Sequence, residues 1–261
     1  MLVLALDTTN EKGGAAICRD GKCLALVANE GPANAYSISL FELVARALKQ
    51  AGPWPSSTAR EGGAALGGLG DVELFAVANG PGSFTGIRVG TAAVQAWARA
   101  FGRPVRGVSI LEAMVDAARP DTEWAVPVLD ARRGEFFLGC FRRSPQPRAV
   151  QNGAQQALRG DAYEPQGEGW VLRPNDLSIF LRERLPAGAG VTCLVREHDR
   201  AALALREGLP ESYRWQSLPG TLLEAIARLG LEAHRKGMAQ EPADLHASYI
   251  RRPDAELNWR E

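Results

Sequence analysis

Residues 79–90 read NGPGSFTGIRVG, a glycine-rich bend between two apolar stretches. Where such a bend leads from a strand into a helix, free backbone N–H groups and the positive end of the helix dipole converge on one point, which suits an anion. Gly80, Gly82 and Gly86 let a backbone approach a phosphate closely, and Ser83 and Thr85 carry hydroxyls that can donate to it. The same residues also suit a tight turn with no ligand. Sharper motifs do not apply. The loop lacks the lysine of GxxxxGK[ST], its spacing is GxGxxxG instead of GxGxxG, and Ser83 is flanked at two residues by Pro81 and Thr85, not by the glycines of a hydrolase elbow. An anion site and a structural turn both remain open from local chemistry.

Other chemistry-bearing residues are sparse. His198, His234 and His246 fall late in the chain without metal-ligand spacing, and Cys18, Cys23, Cys140 and Cys193 contain no CxxC pair. No metal site is expected. Cys18 and Cys23 face each other across an Asp20-Gly21 hairpin turn, so a disulfide is geometrically open to them. The cysteine usage fits a reducing cytosol, in which two free, half-buried thiols are expected.

The elements that must position these residues follow from apolar patterning. LVLAL (2–6) is a short continuous apolar run ending at Asp7-Thr8-Thr9, which predicts a buried strand. GAAIC and CLALVA form a hairpin. In 36–50 the apolar positions 38, 41, 44, 45 and 48 recur at helical spacing, Ser39 and Glu42 fit a capping box, and Gly52-Pro53 ends the helix. Leu40, Leu43 and Ala47 widen that stripe beyond one face, so the helix must be covered on two sides, by its own domain or by a partner. Residues 53–70 read as a glycine-rich surface loop. A strand at 73–79, a helix at 87–101 with the stripe Val89, Ala93, Ala96, Trp97 and Ala100, then VRGVS and ILEAMVDAA complete a first set of elements. A weaker copy begins at Trp124, where AVPVLDARRGEFFLGCF repeats a strand ending at an aspartate, a glycine-containing turn and another strand. It continues with helices near 176–185, 199–207 and 221–236 and a strand at 191–195. The expected architecture is α/β with two lobes, 1–119 and 120–261, built from duplicated βββαβαβα units.

The chain of 261 residues is long enough for two such lobes. Thirty basic and thirty acidic side chains cancel, with a pI near 6.9, and the arginine pairs 132/133, 142/143 and 251/252 are scattered. This balance argues against an autonomous nucleic-acid binder. The chain enters an apolar strand without a basic leader, and no apolar run approaches the roughly 20 residues needed to span a bilayer. A soluble cytoplasmic protein without membrane partners is expected.

NGPGSFTGIRVG, with the opening LALDTT, the later VLDARRGEFF and the near-terminal SYIRR, resembles the TsaB (YeaZ) family of bacterial tRNA-modification subunits, a glycoprotease-like branch of the actin-like ATPase superfamily. The resemblance implies the two-lobed actin-like fold (ribonuclease H-like, shared with sugar kinases and heat-shock ATPases). It also implies a part in forming threonylcarbamoyladenosine next to the anticodon of tRNAs reading codons that begin with A. Family members pair with the catalytic paralogue TsaD, and the ATPase TsaE joins the assembly. In that paralogue two histidines four apart hold a metal, and Ile110 and Met114 stand at the corresponding positions here, where neither side chain serves as a hard-metal ligand. Actin-like ATPases have a small hairpin after the second aspartate. Here Asp130 is followed by Ala131-Arg132-Arg133-Gly134-Glu135, bulky side chains whose arginines suit an anion. Asp7 either holds a magnesium-bound water or caps a local turn. Tyr36 stands where many members have a histidine, and 53–70 reads as an insertion.

The expectation is therefore a noncatalytic, pseudoenzyme-like scaffold with no catalytic residues of its own. Asp7, Thr8, Gly80, Gly82, Ser83, Thr85 and Gly86 form a vestigial or shared nucleotide loop, with ATP or ADP and magnesium held weakly or at the partner interface. Leu40, Phe41, Val44, Leu48, Val94 and Trp97 are the expected TsaD contacts. TsaE joins the complex, tRNA is touched indirectly, and a homodimer of the isolated chain stays open. The rival classes are an independent actin-fold ATP-dependent enzyme, a glycoprotease-like hydrolase and a self-associating module.

Overall fold

The computed structural model describes residues 1–31, 36–52, 68–147 and 161–251. Most of the expected insertion at 53–70, and Arg252 of the SYIRR stretch, lie outside the described residues. Backbone contacts divide the chain into two units, Met1–Ala113 together with the residues from Thr221 onward, and Met114–Gly220.

In the first unit, β1 (Leu2–Asp7), β2 (Gly14–Arg19) and β3 (Lys22–Ala28) are consecutive antiparallel strands. They are followed by α1 (Tyr36–Ala51), β4 (Leu74–Gly80), α2 (Phe84–Phe101) and β5 (Val105–Ser109), and then by α3 (Ile110–Ala118), within which the first unit passes into the second. The sheet order is β3-β2-β1-β4-β5, with β4 parallel to both β1 and β5. Every residue of β1 is buried, which explains a sequence apolar without alternation: helices cover both faces. Asp20 (φ 50°) and Gly21 (φ 86°) make the β2–β3 hairpin turn, whose two left-handed residues match the twist of the strands.

The second unit repeats this plan with β6 (Trp124–Arg132), β7 (Glu135–Leu138), β8 (Phe141–Pro147), β9 (Asp161–Pro165), β10 (Trp170–Leu172), α4 (Pro174–Arg184), β11 (Val191–Arg196), α5 (Arg200–Ala204) and β12 (Arg214–Leu218). Its main path runs β10-β7-β6-β11-β12, position for position the order of the first sheet, with the same parallel and antiparallel pairings. β8 and β9 are an addition that pairs onto β6. The duplication faint in the sequence is thus explicit in the topology.

Three expectations change. The helix expected at 221–236 is α6 (Leu223–Arg235), and it packs on β1, β2, β4 and β5, so the sequence-based boundary at 119/120 misplaces the C-terminal segment. Contact is close: a Cβ on Gly230 would stand 2.6 Å from Cβ of Ala76. Beyond α6, Gln240 pairs with Val105 and Leu245 is buried against α2, where Gln95 donates to its carbonyl. Second, α1 already runs from Tyr36, so Ser39 sits inside the helix and is not its cap. Third, the buried stripe of α1 is Tyr36, Leu40, Leu43, Val44, Ala47 and Leu48, whereas Ile38 is 86% and Phe41 65% exposed. The side chains read as a widening of the stripe are the core, and positions 38, 41 and 45 face outward.

Leu223, Ile226 and Leu231 of α6 are all buried, and at about 2 kcal/mol each their burial amounts to roughly 6 kcal/mol, comparable with the whole stability of a domain. A fragment ending at residue 119 is therefore expected to aggregate or unfold without cooperativity. Residues 1–113 rejoined by a flexible linker to 221–261 should give a cooperative urea transition. A cooperative transition for the 1–119 fragment would contradict the assignment of α6.

Candidate functional site

The glycine loop and the end of β1 meet in one buried junction. Asp7 is fully buried; its Oδ1 accepts the Thr9 N–H (2.9 Å) and the Thr9 hydroxyl (2.6 Å), and its Oδ2 accepts the Asn10 amide (3.1 Å). This is a strand end capped by its own next residues. Bonds to a buried carboxylate are worth about 1.5–3 kcal/mol each, so they hold Thr8 and Thr9 against the loop. The Thr8 hydroxyl donates to the Gly86 carbonyl (2.7 Å), and the Ser83 N–H donates to the Thr9 carbonyl (2.7 Å). Tyr36 closes the other side through its hydroxyl, which donates to the Asn10 carbonyl (2.8 Å).

Each loop glycine meets the protein's own chain. A Cβ would lie 1.9 Å from the Thr8 carbonyl oxygen at Gly86, 2.6 Å from the Thr9 carbonyl oxygen at Gly82, and 2.3 Å from the Ser248 carbonyl oxygen at Gly80. Gly90, one turn on, comes within 2.3 Å of the Thr8 hydroxyl in the same sense. Ser83 is the N-cap of α2, its Oγ accepting the Gly86 N–H (3.2 Å), and Thr85 is exposed. α2 therefore starts three residues before the expected 87, because the cap lies within the motif. The glycines admit backbone, and both Asp7 oxygens are already engaged. This lobe by itself does not fit a magnesium–phosphate cradle, in which carboxylate oxygens and loop N–H groups must face the ligand.

The C-terminal segment completes the junction. The Ser248 N–H donates to the Asn79 carbonyl (2.7 Å), and the Asn79 amide donates to the His246 carbonyl (3.1 Å). Tyr249 stacks on Phe84 with centroids 4.9 Å apart, while Arg88 lies 3.9 Å over the Phe84 ring and donates from Nε to the Tyr249 hydroxyl (3.1 Å). Sequence reasoning singled out SYIRR only as a family resemblance; nothing local signals that it packs on the glycine loop.

In the second unit Asp130 is exposed. Its Oδ1 accepts the Arg132 N–H (2.6 Å), and its own N–H donates to Asp199 Oδ2 (2.8 Å). Asp199 also caps α5 by accepting the Ala202 N–H (2.9 Å). Arg133 and Gly134 form a two-residue left-handed turn (φ 59° and 72°), which leaves Arg132 and Arg133 on the surface. Ile110 and Met114 are buried apolar side chains at 1% and 0% exposure. Among the described residues no group of three or more His, Cys, Asp or Glu is placed to hold a metal ion, and no helix is long and apolar enough to cross a membrane.

The expected partner contacts separate into two sets. Leu40, Val44, Leu48, Val94 and Trp97 are core, each at most 8% exposed, because α1 and α2 bury these faces on the sheet. They are corrected from surface to interior. Phe41 remains outward, its ring edge-on to Trp97 at 5.8 Å. Beside it, α2 turns Ala92, Ala96 and Ala100 to the surface, with Val89 and Ala93 half-buried. Of the apolar stripe expected in α2, only Trp97 is buried; Ala96 and Ala100 are exposed and Val89 and Ala93 half-buried. Two adjacent helices thus each present an apolar side: Ile38, Phe41 and Ala45 on one, the alanine ridge on the other.

Gly86→Ala is expected to cost more than about 2 kcal/mol in urea unfolding, because its methyl overlaps the Thr8 carbonyl. Ser83→Ala should cost about 1 kcal/mol as a lost cap. A Gly86→Ala protein of unchanged stability would contradict the closed junction.

The family model described as TsaD, tRNA N6-adenosine threonylcarbamoyltransferase, matches residues 64–153, which include the glycine loop. The Bacillus subtilis tRNA threonylcarbamoyladenosine biosynthesis protein TsaB is 28% identical over 271 aligned residues, covering 100% of this chain and 99% of its own. The Escherichia coli protein of the same name is 28% identical over 84% of this chain and 99% of its own. Among solved structures, YeaZ from Pseudomonas aeruginosa superposes with a TM-score of 0.66 over 95% of this chain and 99% of its own, at 23% identity. That likeness and the duplicated sheet order make the fold the two-lobed α/β actin-like fold. Along its whole length the chain is similar to the curated TsaB protein of Bacillus subtilis, and it shares its fold with YeaZ.

Proposed function

We propose that this chain acts in the biosynthesis of threonylcarbamoyladenosine in tRNA as a noncatalytic partner of the TsaD-type threonylcarbamoyltransferase paralogue. The observation that carries the reading is the outward apolar face of α1 and α2. Ile38 at 86% and Phe41 at 65% exposure lie beside a ridge of small α2 side chains, a surface that a pair of partner helices can pack against closely. The closed junction adds to it, since a loop whose glycines receive their own chain supports a structural role. In this reading any ATP or ADP with magnesium is held at the partner interface, the TsaE ATPase joins the complex, and tRNA is reached through the partner.

The double substitution Ile38→Asp, Phe41→Asp should weaken association with the paralogue from the same genome at least about 100-fold in a calorimetric titration. Far-UV circular dichroism should not change, and the melting temperature should fall by only a few degrees for the lost Phe41–Trp97 edge contact, because most of both side chains lies outside the core. Val44→Asp should instead unfold the protein. Unweakened association of the double variant would move the interface elsewhere. In a second titration the isolated chain with magnesium and ATP should show no turnover; sustained hydrolysis by the homogeneous protein would overturn the noncatalytic assignment.

A further inference from the structure

The β2–β3 hairpin carries the two thiols of the first unit. Cys18 and Cys23 are directly opposed in its register, one pair beyond the closing pair Arg19 and Lys22. Opposed residues of an antiparallel pair have Cα atoms about 4.5–5.5 Å apart, inside the roughly 4.4–6.8 Å that a disulfide spans. The two thiols are free and within hydrogen-bonding reach of each other. The register shifts just beyond them, between Ile17 and Cys18, and such a bulge lets the strand adjust its twist locally. β3 is the edge of its sheet and Cys23 is half-buried, so a small reagent reaches its sulfur from solvent; Cys18 behind it is 2% exposed.

We propose that Cys18 and Cys23 are an oxidisable dithiol, a modification site that reacts with a peroxide and closes into a cross-strand disulfide reopened by thiol reductants. In the first step the Cys23 sulfur attacks a peroxide oxygen. The O–O bond breaks, the departing hydroxide leaves as water with the thiol proton, and Cys23 becomes a sulfenic acid. The Cys18 sulfur then attacks the Cys23 sulfur, forming the S–S bond and expelling a second water that carries the Cys18 proton. The two thiols give up two electrons and hydrogen peroxide is reduced to two waters.

Burial pushes the Cys18 thiol up, with the neighbouring Cys23 adding to the effect, and burial also raises Cys23. Glu224 and Arg228 of α6 lie near the pair with opposite charges. The pair is thus a slow site whose product is favoured by proximity and whose rate is limited by scarce thiolate. Cys140 and Cys193 are the internal comparison: 2% and 0% exposed in the second core, with burial pushing their thiols up to about 11 and about 12.

Full-length protein treated with hydrogen peroxide should lose two hydrogens in intact mass, yield a proteolytic fragment joining Cys18 to Cys23, and return to four alkylatable thiols after reduction. Cys23→Ser should abolish the cross-link and leave Cys140 and Cys193 reduced. As a reading independent of oxidation, phenylarsine oxide, a trivalent arsenical that bridges two close thiols, should bind the wild type one to one and the Cys23→Ser protein not at all. The proposal is overturned if peroxide leaves four free thiols, carries Cys23 to the sulfinic acid without a cross-link, or joins another pair, or if the arsenical binds both proteins equally.

Discussion

The first lobe depends on one crossing, the carbonyls of Thr8 and Thr9 laid against Gly86 and Gly82. At these distances any side chain would collide, so the motif is fixed by contact between two pieces of backbone that lie far apart in sequence. Asp7 makes the crossing possible by folding the end of β1 onto itself, and Ser83 begins α2 where the crossing ends. The direction of α2, and with it the identity of the residues it turns outward, follows from this contact. A loop that looks shaped for a ligand is shaped instead for its own chain.

Burial on α1 and α2 was half legible. Both helices are apolar around much of their circumference, and periodicity alone does not say which of two overlapping stripes faces the sheet. On α1 the expected stripe 38, 41, 44, 45 and 48 shares only Val44 and Leu48 with the buried face, which Tyr36, Leu40, Leu43 and Ala47 complete. The sheet covers one side of the helix only, and Ile38 and Phe41 on the other side stay exposed.

β1, β4 and β11 fall within a residue of the expected bounds because each is a nearly continuous buried run, and β5 and α3 do so because a glycine, proline or polar signal bounds them. β12 was missed: Arg214-Trp215-Gln216-Ser217-Leu218 is short and mostly half-exposed, and only its pairing with β11 makes it a strand. The placement of α6 and the contact of Asn79 with His246, 167 residues away, were illegible for a different reason. Nothing local encodes which sheet a helix will cover; that is decided by which apolar face is still uncovered when the chain returns.

That return sets an order of events. Because α6 follows the second unit in the chain, one face of the sheet formed by β1, β4 and β5 waits for its cover until that unit has been synthesised. Ala5, Ala76 and their neighbours are small on this face, which limits how much apolar surface the nascent chain offers to other molecules in the interval. The first lobe to be translated is in this sense the last to close.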